Sequence, residues 1–408
     1  MNKALETLKE RGFLKQCTDT DGLSKLMDEG PVTFYVGCDP TGPSLHIGHM
    51  VPFFAFRHMR DSGHVGIALL GGGTARIGDP SGRSETRKMI SYDSIDANTE
   101  LFRAQLDRFV GFDGKGSFAA NNKDWLADLN YIEFLRDIGS HFSVNRMLTF
   151  EAYRQRMETG LSFIEFNYQL LQSYDFLQLY KRHGCRLQIG GDDQWGNIVA
   201  GIELIRRTEG AECFGLTFPL IMTSDGKKMG KTEKGALFLD PEMTSPYEFF
   251  QYWRNVADAD VERFLLMFTF LGTDECRALG AARDAGINAA KERLAWEVTA
   301  VIHGEAEADK ARAAARAAFS GGGDIDQIPS RELAKSELAK GLGVLDLFVL
   351  AALASSKSEA RRLVQQGGAI VNDRKIEDEK TVIDASWLDG GALLLRAGKK
   401  RVFRIIAV

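Results

Sequence analysis

Two histidines, His46 and His49, stand three residues apart in the stretch PSLHIGHM. A zinc-protease pair on a helix needs i, i+4 spacing with a glutamate between, and this pair has neither. No carboxylate or cysteine nearby supplies a third ligand, so a metal site is the weakest reading. Two others stay open: histidines incidental to a helix, and donors to an anion at a helix start. The anion reading is favoured, because the segment follows a strand-like run and opens a helix. Free backbone N–H groups and the helix dipole favour phosphate there. Gly48 would let a flat base approach the backbone.

Three further constellations carry chemistry. KKMGKT, Lys227 to Thr232, crowds lysines into a loop after a turn at Asp225-Gly226. Lys228 and Lys231 suit charge building on a transferred or departing phosphate, although a solvated lysine loop is commoner for such a run taken alone. DPSGRSETRK offers Arg83 and Arg87 for the opposite side of such a clamp. In FNYQLLQSYDFLQLY, Tyr168, Gln172 and Asp175 fall at i, i+4 and i+7 on one stripe of a helix, with Leu170, Tyr174 and Leu177 on the other face. Buried polar groups need partners, which means an internal hydrogen-bond network or a small polar ligand. In GGDDQWGN, Asp192 and Asp193 follow two glycines at a strand end. A carboxylate there can accept from ribose hydroxyls, or simply stabilise a turn.

The elements that must position these residues read as follows. PVTFYVGC, Pro31 to Cys38, is a strand, and a helix follows with Ser44 as its N-cap. VGIALLGGG is a second strand ending in glycines. Strand, glycine-bearing turn, helix, strand predicts an α/β domain with a Rossmann-like, doubly wound parallel sheet, whose ligands sit at the carboxyl ends of the strands. Residues from about 98 to 184 read as mostly helical. CRLQIGG and LTFPLIM are further strands flanking the helix IVAGIELIRRTEG, and Ser245 to about Phe319 is helical again. GGGDIDQIPS reads as a linker. Beyond it, Ser356 and Glu359 form a capping box for EARRLVQQGG, and AIVNDRKI is a hairpin turning at Asn372-Asp373. The expected division is a Rossmann-like domain over 1–220 with a helical insertion, the KMGKT loop and an α-helical domain over 221–319, a linker over 320–340, and a small α+β domain over 341–408.

The formal charge of −5 excludes a basic coat over the whole surface. From residue 356 onward, however, eleven Lys/Arg face seven Asp/Glu, so a +4 tail follows a −9 body. That asymmetry suits contact with a nucleic-acid backbone, with a solvated charged face as the alternative. Five scattered cysteines without a CxxC pair exclude a disulfide framework and fit a reducing, cytoplasmic setting. MNKALETLKERG reads as an amphipathic helix rather than a signal peptide. No apolar run reaches the roughly 18 residues of a membrane span.

PSLHIGHM and KMGKT resemble the HIGH and KMSKS-type motifs of class I aminoacyl-tRNA synthetases. Together with YVGCDPTGPSLHIGH, GDPSG, FNYQLLQSYDF and LQIGGDDQWGN, the ordered set is similar to the bacterial tyrosyl-tRNA synthetase family nearly end to end. The resemblance implies activation of L-tyrosine by ATP to tyrosyl-adenylate, with Mg2+ accompanying the nucleotide and no dedicated protein metal site, followed by transfer to the 3′ end of tRNA(Tyr). It implies that Tyr35 and Asp175 bind the phenolic hydroxyl. Asp79, Tyr168 and Gln172 hold the α-ammonium, with Gln188 nearby and Gln194 against the carboxylate. Asp39 and Asp193 contact the adenosine, with Gly48 and Gly191 beside the nucleotide and His49 near the ribose. Thr41 and His46 reach the γ-phosphate, and Lys228, Lys231, Thr232, Arg83 and Arg87 handle the pyrophosphate. It also implies a homodimer and an RNA-binding terminal module. Val36 and Cys38 depart from the residues common in relatives, without touching those that choose tyrosine. The alternatives are a tryptophan-activating relative, against which Tyr35 and Asp175 argue, and a non-catalytic RNA-binding paralogue, against which the intact histidines and lysines argue.

Overall fold

The computed structural model describes all residues except 82–89, 225, 227, 228, 230, 233, 234, 321–329, 399 and 400. Two compact units emerge, Met1–Met243 with Ala257–Ala290, and Thr244–Val256 with Lys291–Val408.

The first unit opens with the expected amphipathic helix α1 (Lys3–Glu10), then β1 (Gln16–Cys17) and α2 (Thr20–Glu29). Strand β2 (Thr33–Cys38) starts two residues later than expected. Pro31 has no N–H for a ladder, and the Val32 N–H goes to His64 Nδ1 instead. Next come α3 (Met50–Asp61), β3 (Val65–Leu70) and α4 (Tyr92–Val110). The region expected to be helical from 98 to 184 also contains a strand, β4 (Ser117–Asn121). Its sequence SFAAN has no period-2 pattern; what makes it a strand is parallel pairing along β3. Five helices follow: α5 (Lys123–Leu126), α6 (Tyr131–Asp137), α7 (Val144–Met147), α8 (Glu151–Thr159) and the long α9 (Phe163–His183). Ser162 and Glu165 cap α9 reciprocally. Strand β5 (Cys185–Gly191), α10 (Trp195–Glu209) and β6 (Phe214–Phe218) complete the sheet.

The strand order is β1-β6-β5-β2-β3-β4, parallel except for the short β1 at the edge. The chain runs outward from β2 through β3 to β4 on one side and from β5 to β6 on the other. The topological switch therefore lies between β2 and β5, where doubly wound sheets open a crevice for ligands. Core residues such as Phe34, Ile67, Leu187 and Leu216 are fully buried, as a sheet covered on both faces requires.

After a short pairing of β7 (Lys231–Thr232) with β8 (Gly235–Ala236), the expected helical stretch resolves into α11 (Pro246–Arg254), α12 (Val261–Phe268), α13 (Thr273–Gly280), α14 (Ala285–His303) and α15 (Glu305–Ser320). Residues 257–290 belong with the first unit, so 221–319 is not a domain of its own. Helix α12 packs on α3 through Phe54, whose ring lies 5.6 Å from Phe268. The buried Arg11 guanidinium closes the end of α12 by donating to the carbonyls of Leu266, Thr269 and Leu271.

In the second unit α11 and α15 pack together, and Arg254 donates to the Ala315 carbonyl. The terminal module is a five-stranded sheet of order β12-β11-β14-β15-β9, formed by β9 (Ser330–Leu333), β11 (Ala369–Val371), β12 (Arg374–Lys375), β14 (Ala392–Ala397) and β15 (Arg401–Ala407), with β10 (Leu342–Gly343) and β13 (Val382–Ile383) paired separately. It carries α16 (Lys335–Ala339), α17 (Val344–Leu350) and α18 (Lys357–Gln365) over a core that includes Leu333, Leu338, Phe348 and Ile405. The linker expected over 320–340 is thereby shortened. Ser330–Leu333 pairs in parallel with β15, and Leu338 is fully buried, while 321–329 lie outside the described residues. The Asn372-Asp373 turn has positive φ at both residues, 46° and 61°, as a two-residue I′ hairpin needs.

Candidate active site

A cavity of about 580 Å³ opens at the switch point between β2 and β5. Its walls bring together Tyr35, Asp39, Thr41, His46, His49, Asp79, Tyr168, Gln172, Asp175, Gln188, Gly191, Asp193 and Gln194. The carboxyl ends of β2 and β5 and one stripe of α9 supply most of them. Val36 and Cys38 line it too.

At its inner end Tyr35 projects from β2, its ring 5.3 Å from that of Phe176. The hydroxyl is buried without a hydrogen-bond partner, and burial, followed by nearby Asp175, holds its pKa well above the usual phenol value. Asp175, on α9, accepts from Asn122 Nδ2 at 2.9 Å and from Trp125 Nε1 at 2.7 Å. Burial nevertheless pushes its carboxyl up to about 8. An orphaned hydroxyl and a carboxyl facing one cavity are the donor and acceptor that a ligand hydroxyl would use.

A second acidic group lies elsewhere on the cavity wall. Asp79 accepts from the Ser81 N–H at 2.8 Å and from Gln194 Nε2 at 2.7 Å, and burial pushes it up to about 6. Asn197 ties this side together, donating to Gln172 Oε1 and Gln194 Oε1. Gln188 Oε1 is buried without a partner. Asp39 follows β2 directly and accepts from Thr74 Oγ1 at 2.7 Å and from the Tyr168 hydroxyl at 3.1 Å. Asp39, expected as an adenosine contact, is thus also joined to Thr74 and Tyr168. Gly71 allows this approach, because a Cβ there would lie 2.0 Å from Asp39 Oδ1.

The histidine segment differs from its expected form. Ser44 is not the N-cap; its hydroxyl donates to Leu45 O and accepts from the Asp240 N–H. The cap is His46, whose Nδ1 accepts from the Gly48 N–H, while His49 Nδ1 accepts from the His46 N–H, around a 3-10 turn that precedes α3. Accepting from a backbone N–H places the His46 ring proton on Nε2, while His49 Nδ1 also lies 3.3 Å from the His46 carbonyl oxygen. Burial and then His46 lower His49 to about 3, so that ring stays neutral. Gly48 does not line the cavity, and a Cβ there would lie 2.8 Å from His46 Cε1. Its smallness thus serves the cap.

The lysine motif is described only in part. Lys228, Arg83 and Arg87 lie outside the described residues, and Lys231 and Thr232 are described through their backbone in β7. Both approaches to the motif are nonetheless fixed. Asp260 accepts from the Ser224 N–H and hydroxyl at 3.0 Å each, and Arg263 donates to Met222 O. On the far side, the Ile47 N–H donates to Leu237 O and the Leu239 N–H to Leu45 O, pairing the exit segment with the histidine segment.

Sequence reasoning missed Thr74, Asn122, Trp125 and Asn197. NNKDW carries no periodic signal, and its residues matter only because β4 ends there.

Residues 27–320 match the model of the class I tRNA synthetases (W and Y), and 323–405 match the tyrosine–tRNA ligase SYY-like C-terminal domain. The tyrosine–tRNA ligase of Treponema denticola is 62% identical over 407 residues, covering 100% of both chains. That of Caldanaerobacter subterraneus subsp. tengcongensis is 53% identical over 98% of both. The solved structure of a C-terminally truncated Aspergillus nidulans mitochondrial tyrosyl-tRNA synthetase superposes with a TM-score of 0.69 at 33% identity, covering 76% of this chain and 92% of that one. With a family model matching most of its length and relatives above half identity end to end, the chain belongs to the tyrosine–tRNA ligase family of class I aminoacyl-tRNA synthetases.

Proposed function

We infer that the chain joins L-tyrosine to tRNA(Tyr) in two steps, activation by ATP to tyrosyl-adenylate with release of pyrophosphate, then transfer to the tRNA 3′ end. The single observation that carries the choice of tyrosine is that the partnerless Tyr35 hydroxyl and the Asp175 carboxyl line one cavity. A phenol placed there satisfies both groups. Phenylalanine would leave them unpaired, and a site built around a hydroxyl rejects the analogue lacking it far more strongly than a missing contact would suggest. This enzyme class is itself a standard illustration of that point.

In the proposed arrangement Asp79, Tyr168 and Gln172 hold the α-ammonium and Gln194 lies by the carboxylate. The tyrosine carboxylate attacks the α-phosphorus, and the bond to the pyrophosphate oxygen breaks as the P–O bond to the carboxylate forms. No enzyme nucleophile is needed, so positioning and charge stabilisation carry the rate. His46 donates through Nε2, His49 and Thr41 assist, and Asp193 and Gly191 receive the ribose. Lys228, Lys231, Arg83 and Arg87 take up charge on pyrophosphate. Mg2+ would accompany the ATP phosphates, as such an ion keeps mainly to phosphate and water.

Seven of the large exposed apolar side chains fall between Tyr131 and Ile164, a concentration that supports burial of this region in a homodimer. The terminal module, with its +4 charge, is the proposed tRNA contact. Cytoplasmic residence is proposed from the free cysteines; among the described residues no helix is long and apolar enough to cross a membrane. Amino-acid-dependent ATP–pyrophosphate exchange tests the whole reading. Exchange with tyrosine and charging of tRNA(Tyr) are expected, and exchange with tryptophan but not tyrosine would overturn it.

A further inference from the structure

Four polar side chains inside the cavity wall form one directed chain. Asn122 Oδ1 accepts from the Gly73 N–H at 2.7 Å, so the amide must turn its NH2 the other way. That NH2 donates to two acceptors, Asp175 Oδ2 at 2.9 Å and Thr74 Oγ1 at 2.8 Å. Since Thr74 Oγ1 accepts from Asn122, its own proton is free to go to Asp39 Oδ1, 2.7 Å away. Tyr168 adds a second donor to the same carboxylate through Oδ2 at 3.1 Å. Thr74 and Asn122 are almost completely buried, 3% and 1% exposed, so water does not replace these bonds.

We propose that Thr74 is a positioning residue for tyrosine specificity, its hydroxyl linking the carboxylate beside Tyr168 to the carboxyl that receives the phenol. The argument rests on the tyrosine reading above. The hydroxyl both accepts and donates, accepting from Asn122 and donating to Asp39. Removing it leaves one Asn122 N–H without an acceptor and Asp39 without one of its donors. Asn122 then turns towards other acceptors, and the Asp175 oxygen that it holds is less firmly fixed while the other keeps its bond to Trp125. Both ends of the amino acid are affected by the change.

The test uses the full chain in tyrosine-dependent ATP–pyrophosphate exchange, with Thr74→Val removing the hydroxyl at nearly constant volume. A buried donor left unsatisfied predicts that KM for tyrosine rises about 10-fold and that the tyrosine-to-phenylalanine ratio of kcat/KM falls about 10-fold. KM for ATP stays within about twofold. Thr74→Ser restores the hydroxyl and returns both tyrosine constants towards the parent values. A purely structural role would lower thermal stability and the fraction of active sites while leaving KM and the selectivity ratio unchanged, and that result overturns the proposal. If Thr74→Val does not fold, Thr74→Cys, a weaker donor of similar size, must give an intermediate loss of selectivity; parent-like selectivity in it overturns the proposal equally. If the parent chain fails to exchange with tyrosine, the functional reading itself has failed, which separates the two outcomes.

Discussion

Tyr35 and Asp175 show what a binding residue costs the empty protein. The Tyr35 hydroxyl is buried with no partner, and such a group loses hydration without return. Tyr35→Phe is therefore expected to leave the melting temperature unchanged or raise it, while weakening tyrosine use by roughly 2–15-fold, the range for a neutral hydrogen bond. Calorimetry beside exchange kinetics checks both halves. Asp175 carries a signature in pH. Its carboxyl is pushed up to about 8 by burial, against an ordinary value of 3.8. The folded state thus binds a proton that the unfolded state has already released, so stability from this group falls as pH rises from about 4 to about 8. Asp175→Asn removes the titration, and the variant's melting temperature should gain on the parent's across that window. A constant difference between the two proteins at all pH values would show that the carboxyl is already ionised. The sequence revealed the polar stripe of α9 because its spacing is a helix period. It could not reveal Asn122 or Trp125, whose importance comes from a strand that only pairing with β3 creates.

The elements hold the site through a few buried polar ties. Arg156 and Glu165, each almost fully buried, form an ion pair at 3.0 Å between α8 and the first turn of α9, the helix that carries Tyr168, Gln172 and Asp175. Removing one partner strands the other, so Arg156→Met should cost about 3–5 kcal/mol, read from the urea midpoint at unchanged slope. Replacing both, with Glu165→Gln added, should recover much of that loss, because the cost lies in the unpaired charge rather than in the pair's attraction. At this scale the parallel sheet was legible from the apolar runs and glycine-ended strands, and the Asn372-Asp373 hairpin from its turn residues. The cap of the 3-10 turn that precedes α3 was not. Ser44 is the better N-cap by propensity, but the Asp240 N–H occupies its hydroxyl, and His46 takes the role through a ring that sequence rules do not count as a cap.

For the whole molecule, the terminal module was expected to begin at 341, whereas its sheet takes in residues 330–333. Residues 330–333 run beside β15, 74 positions away in sequence, and nothing local to SREL announces a partner so distant. The consequence is testable by truncation. Ending the chain after residue 320 should keep tyrosine-dependent exchange and abolish charging of tRNA(Tyr). Ending it after 340 should do the same to activity but aggregate more readily in light scattering, because β9, Leu333 and Leu338 lose the sheet that covers them. The backbone pairing of Leu45 and Ile47 with Leu237 and Leu239 has a different kind of consequence. It makes the histidine segment sensitive to a change of length in the segment that faces it. One residue added at Phe238 slips the ladder by a step and turns the facing side chains to the opposite side, so the histidine segment keeps its composition and loses its aim.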